Sequence, residues 1–271
     1  MSTQAQAFRA ARNPKRKEIE MHQIRHVPAV LAIVCAPLCS IACGPTLSTQ
    51  VRLDTMRAPD NTGQVSKEGL VVEVPDLKKI PEQFTIQAAA CFADGTPMVD
   101  STTKAPDMKD AVGLPIGAEL YQLKLSNQTD HVVRLQGAII RLFDPAENQI
   151  EPMSKEDAIA AATRTLSNQG VCNSEAPKIM AALSTVKFIG PNTELLPGTT
   201  TTGYLLFLPQ RPDLPGVWKL SLYEIPVKVD AAGSTIARTR FDFAYLRKKF
   251  EDTYSQEFIG ERKLVSSKEI Q

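Results

Sequence analysis

Residues 117–144 read GAELYQLKLSNQTDHVVRLQGAIIRLFD, and the fold turns on how this stretch is paired. Tyr121, Leu123 and Leu125 alternate with Gln122, Lys124 and Ser126, a period of two that predicts a half-buried strand. Asn127, Gln128, Thr129 and Asp130 supply turn chemistry, because short polar side chains bond the backbone and tolerate left-handed angles. Residues 132–142 then run on, mostly apolar and β-branched, and stop at Asp144-Pro145. The pattern predicts a long hairpin. Such a hairpin is not stable alone and needs further strands over its apolar face.

Downstream the period changes. Ser154 and Asp157 form a capping box, Ile159, Ala162 and Leu166 share a helical face, and Gly170 stops it. Pro177 opens a second predicted helix, 178–187, with Ile179, Leu183 and Val186 on one side. Residues 154–188 are therefore a helical insertion. Strands resume at 203–209, where Tyr204 and Leu206 alternate with Leu205 and Phe207, so both faces are apolar and a central strand is expected. Further strands are predicted at 217–225, with Trp218, Leu220 and Leu222 inward, at 227–229, and at 236–245, with Phe241, Phe243 and Tyr245 inward. Upstream, 70–74 and 84–92 are short apolar runs, and 94–116 is a polar surface excursion. Such runs with turn signals between them predict a mainly β chain, a β-sandwich over 70–246 carrying the insertion.

On either side lie weaker patterns. Residues 43–69, with Gly44, Pro45, Pro59, Asp60 and Gly63, are expected to be a polar tether. Residues 247–271 are highly charged and include Arg247, Lys248 and Lys249. A solvated or frayed terminal helix is expected there, with a basic clamp on phospholipid headgroups or a partner as the alternative. The 31 basic and 30 acidic residues are unevenly placed: residues 1–43 hold six basic and two acidic side chains, which leaves the body at −3. That balance argues against a nucleic-acid surface.

Residues 27–42, VPAVLAIVCAPLCSIA, are uncharged and follow Arg25, the form of a secretory signal. Residues 1–20 make a long polar extension, and Met21 would give an ordinary leader of residues 21–42. The segment ends Ser40-Ile41-Ala42-Cys43-Gly44, which resembles the lipobox of bacterial lipoproteins. The resemblance implies a diacylglycerol on the Cys43 thiol, cleavage before it, and a membrane anchor. Gly44 in place of aspartate implies an outer-membrane address, with the body facing the periplasm. Two other readings of the leader stay open: cleavage without lipid, and a plain transmembrane anchor.

After cleavage Cys91 and Cys172 remain beside Cys43. An oxidising compartment makes a disulfide between them plausible, worth up to ~4 kcal/mol by loop closure, and two buried free thiols are the alternative. The run Tyr121, Leu123, Leu125, Ser126, Asn127, Thr129, then Val133, Leu135, Ile140, Leu142, Phe143 and Asp144, resembles the immunoglobulin-like domains borne by many bacterial lipoproteins. That resemblance implies a binding or assembly module, with no catalytic residues to carry over.

Chemistry is sparse in the sequence. His131, beside Asp130 in the predicted turn, is the one histidine after the leader, so a histidine metal cluster within one chain is excluded. No G-x-S-x-G elbow and no phosphate-cradling loop occur. Asp144, Glu147 and Asn148 could ligate calcium, but a β-turn opened by Asp144-Pro145 accounts for them without a metal. The expectation is a non-enzymatic, lipid-anchored envelope protein with no cofactor, whose partners are the membrane and another envelope protein. A cell-wall or polysaccharide hydrolase, and a subunit of a secretion or motility machine, are the alternatives.

Overall fold

The structure, a computed structural model, describes residues 46–77, 79–230, 234–256 and 263–270. The leader 1–42 and Cys43 lie outside the described residues. The chain is mainly β, 51% strand and 13% helix, in several antiparallel sheets, an arrangement consistent with a β-sandwich.

In chain order the strands are β1 (Thr46–Arg57), β2 (Gln64–Lys67), β3 (Leu70–Glu73), β4 (Thr85–Ala89), β5 (Met108–Val112), β6 (Glu119–Asn127), β7 (Val133–Arg134), β8 (Ile139–Phe143) and β9 (Gln149–Ile150). Helices α1 (Lys155–Arg164) and α2 (Ala176–Ser184) follow, then β10 (Glu194–Leu195), β11 (Thr200–Phe207), β12 (Gly216–Val229), β13 (Thr235–Gln256) and β14 (Lys263–Ile270). One sheet has the order β1-β13-β12-β8-β9, with β14 also on β13; the other is β11-β6-β3-β2. Between them lies the first core, to which Leu70, Val72, Leu123 and Leu125 contribute from one sheet and Trp218, Leu220, Leu222, Phe241 and Phe243 from the other. Each such side chain, once buried, stabilises by about 1.5–3 kcal/mol.

The predicted hairpin is not a hairpin. β6 pairs with β11 and β3 in one sheet, whereas β8 pairs with β12 and β9 in the other, so the chain crosses between sheets. Asn127 causes this. Its fully buried amide donates to the carbonyls of His131 at 2.7 Å and Leu195 at 2.9 Å, and its Oδ1 accepts from the Thr129 backbone at 3.0 Å. Those bonds hand the chain to β7, which pairs with β10 instead of folding back on β6.

β11 is likewise an edge strand, not a central one. Both its faces are apolar because it separates two cores: Leu205 and Phe207 enter the first, Tyr204 and Leu206 the second. The second core is built by β4, β5 and the helices, with Phe84, Ala162, Leu166, Ile179 and Leu183 fully buried or nearly so. Ser154 caps α1, accepting from the Asp157 backbone, and Pro177 sits in the first turn of α2. The predicted excursion 94–116 returns as β5 to pair with β4.

Two further corrections concern the flanks. Residues 46–57 are not tether but the 12-residue strand β1, paired along its length with β13. Leu47, Thr49, Val51 and Leu53 alternate with polar residues, which suits a strand. Residues 247–256 continue β13, and 263–270 form β14 on its other edge, so the tail is neither helix nor solvated coil over those spans. Nor does a separate strand begin at 227: β12 runs through, with Glu224 at positive φ and irregular pairing around Pro226. No helix among the described residues is long and apolar enough to cross a membrane.

Candidate functional site

A cleft of about 650 Å³ lies between two segments that both dock on the outer edge of β11. On one side the Met153 N–H donates to the Leu206 carbonyl at 2.7 Å, beside a bridge from Pro152 to Phe207. On the other the Ile189 N–H donates to Tyr204 O, and the Tyr204 N–H to Lys187 O, both at 2.9 Å. This second docking needs Gly203. A Cβ there would meet the Lys187 carbonyl at 2.9 Å and Ile189 Cδ1 at 2.8 Å. Between the two segments Met153, Val186, Phe188 and Ile189 make an apolar lining, and Lys187, Glu156, Asn192 and Glu194 stand exposed at the rim. An apolar lining with a mixed polar rim can receive an apolar group.

A smaller cavity, about 250 Å³, opens at one end of the two-sheet core. Tyr121 and Tyr245 line it, their rings 5.3 Å apart, with both hydroxyls buried and without a hydrogen bond. Burial pushes the Tyr121 hydroxyl above its ordinary value and the Tyr245 hydroxyl up to about 12, so both stay protonated. Arg57 crosses the mouth, donating to Val74 O and to Asp76, each at 2.6 Å. Below, Arg247 is 2% exposed. It lies 3.8 Å over the Trp218 ring, 2.7 Å from Glu119, and donates to Pro212 O at 3.0 Å. Burial raises the Glu119 carboxyl, and Arg247 opposes that shift. Every formal charge here has a partner, so the cluster acts as a polar plug for the core.

The residues singled out from the sequence fall as follows. Cys91 and Cys172 are joined, S–S 2.03 Å and Cα–Cα 4.9 Å, tying the end of β4 to the segment between the helices. Asp144 holds a turn: burial works against its carboxylate, but hydrogen bonds from Asn148 and the Ala146 backbone keep its pKa below the ordinary value. Those donors occupy the oxygens a calcium ion would need, and among the described residues no cluster of three metal-ligating side chains occurs. His131 is half-buried, its Nδ1 3.1 Å from Asp130. Arg247, Lys248 and Lys249 form no basic clamp, because Arg247 is buried, Lys248 pairs with Glu269 at 2.9 Å and Lys249 faces Asp213 at 3.9 Å.

The cleft was not visible in the sequence. Its walls come from the two ends of the helical insertion, 152–156 and 186–194, which meet only because both dock on β11. No protein-family model matches the chain, and no curated protein matches it. Among solved structures, the yjhA protein from Bacillus subtilis is 9% identical with a TM-score of 0.29, over 58% of this chain and 75% of that one. A conserved hypothetical protein from Bacillus anthracis is 10% identical at 0.29, over 63% of this chain and 91% of its own.

Proposed function

We propose that this chain is a lipid-anchored envelope protein that works as a non-enzymatic binding or scaffold subunit. Its two-sheet body is immunoglobulin-like in plan, and the cleft beside the helical insertion holds a partner protein. The observation that carries this is the Cys91–Cys172 disulfide: such a bond persists in an oxidising compartment, where an exported lipoprotein would reside. The leader and lipobox supply the route, Cys43 the acyl site, and the outer membrane, facing the periplasm, the address. The apolar lining of the cleft supplies the contact.

Two experiments test the two halves. Replacing the acyl site, Cys43→Ser, should abolish palmitate labelling and move the protein from the detergent to the aqueous phase; unchanged partitioning would end the anchor reading. Affinity purification from solubilised envelope should recover a protein partner, and Lys187→Glu at the cleft rim should weaken that recovery without changing the circular dichroism. Recovery that is indifferent to the cleft would sink the binding assignment. The secretion or motility alternative is decided by which partner appears.

A further inference from the structure

β12 accompanies β13 only as far as Arg247. Beyond it β13 keeps β1 on one edge and gains β14 on the other. Residues 46–54, 248–256 and 263–270 thus form a three-stranded arm. At about 3.3 Å per residue it reaches about 30 Å past Arg247. Both faces of the arm are open: among its described residues Asp252 alone is buried, 1% exposed, bonded by Arg52 and Ser267.

The arm changes in character along its length. Its inner part is charged on every strand, with Arg52 and Asp54, Lys248, Lys249, Glu251 and Asp252, and Lys268 and Glu269. The described part of its outer end, residues 46–49, 253–256 and 263–266, holds no carboxylate, and the connecting residues 257–262 read EFIGER, with Phe258 and Ile259 beside Glu257 and Glu261. The described part carries Leu47, Leu264 and Val265, which are 63%, 54% and 59% exposed, together with Tyr254, Lys263 and several hydroxyls. Leu47 and Leu264 lie on opposite faces, since Leu47 pairs with Ser255 and Leu264 with Tyr254. Exposed aliphatics on both faces, a tyrosine and a lysine are the composition of a segment at a lipid–water boundary. Only Gly44 and Pro45 separate Cys43 from Thr46 in the sequence.

We infer that the outer end of this arm seats in the headgroup layer of a phospholipid bilayer, and that the arm is a stiff spacer holding the body off the surface. The inference rests on the acylated Cys43 reading. Lipid on Cys43 brings the tip to the bilayer; the aliphatic side chains on both faces then enter it, and Lys263 meets the phosphates. The two-sheet body begins where the charged part of the arm ends.

The test uses the full-length acylated protein in vesicles of phosphatidylethanolamine and phosphatidylglycerol. With Cys43 acylated and Cys91 bonded to Cys172, a single introduced thiol can carry a fluorophore. Leu47→Cys and Leu264→Cys place it on two different strands of the tip, and Ile236→Cys places it at the far end of β13, where Ile236 is 65% exposed. With nitroxide-labelled phospholipid as quencher, fluorescence at 47 and 264 should fall by about half, as for groups a few ångströms into the interface, and fluorescence at 236 should not change. Vesicle flotation of each variant separates the two claims. Protein that floats, with 47 and 264 no more quenched than 236, overturns the seated arm and leaves the anchor standing. Labels at 47 and 264 that are shielded from an aqueous quencher yet unreached by the lipid quencher show a protein covering the tip, and also overturn it. Protein that fails to float removes the anchor and the inference with it.

Discussion

Arg247 stands where a cation is hardest to keep, inside the wall of the core with its guanidinium flat on Trp218. It is tolerable there because Glu119 neutralises its charge at 2.7 Å and Nη1 donates to the Pro212 carbonyl, although Nε makes no hydrogen bond. Arg247→Met keeps the length but strands Glu119, and removing one member of a buried pair costs about 3 kcal/mol. The unfolding free energy from urea titration should fall by that amount, as a lower midpoint with an unchanged slope. The pH dependence has a definite sign. The carboxyl of Glu119 already titrates above its ordinary 4.5 because it is buried, and losing Arg247 raises it further. A raised acid contributes stability that is present below 4.5 and lost as pH rises through the higher folded value, so the variant should regain stability on acidification. Adding Glu119→Gln should erase that regain. At this scale the sequence spoke clearly for apolar side chains: Trp218, Phe241, Phe243 and Tyr245 are all buried, as their alternation predicts. It was silent on Arg247, whose neighbours Lys248 and Lys249 make it look like part of a solvated basic run.

The elements that were misplaced share a cause. Period and turn residues tell where a strand starts and stops, not which strand it joins. Asn127 has the composition of a turn, yet its buried amide sends the chain into the opposite sheet. β1 and β14 carry Thr, Ser and charged residues at the positions a two-layer fold would fill with apolar ones, because most of their length is covered on neither face. The cleft was illegible for a related reason: one edge strand, β11, gathers both of its walls. Within the arm, Asp252 is the pairing element most open to test. Hydrogen bonds from Arg52 and Ser267 hold its carboxyl below the ordinary 3.8, so it stabilises above 3.8 and that contribution is lost as pH falls through the lower folded value. As pH falls below 3.8, amide exchange at 248–256 should therefore gain on exchange in 216–225, and Asp252→Asn should flatten the difference.

For the molecule as a whole, two cores share β11 and β6, and only one of them is cross-linked. The first rests on large apolar side chains from two sheets; the second has two short helices, two short strands and the Cys91–Cys172 bond. Closing a loop of that length is worth up to ~4 kcal/mol in the chain-entropy account. Cys91→Ala with Cys172→Ala should lower stability by an amount of that order. Exchange protection should drop first at 155–184, while 216–225 and 236–245 stay protected; uniform loss would show that the two cores unfold as one.

The long antiparallel pairing of β1 with β13 also bears on how the protein would answer a mechanical load. If Thr46 were tugged by a fixed point while the body was pulled the other way, the force would run along β1, at right angles to its inter-strand hydrogen bonds. The rungs would then be sheared together instead of being unzipped one by one, so the strand that emerges nearest Cys43 is arranged as a force-bearing joint.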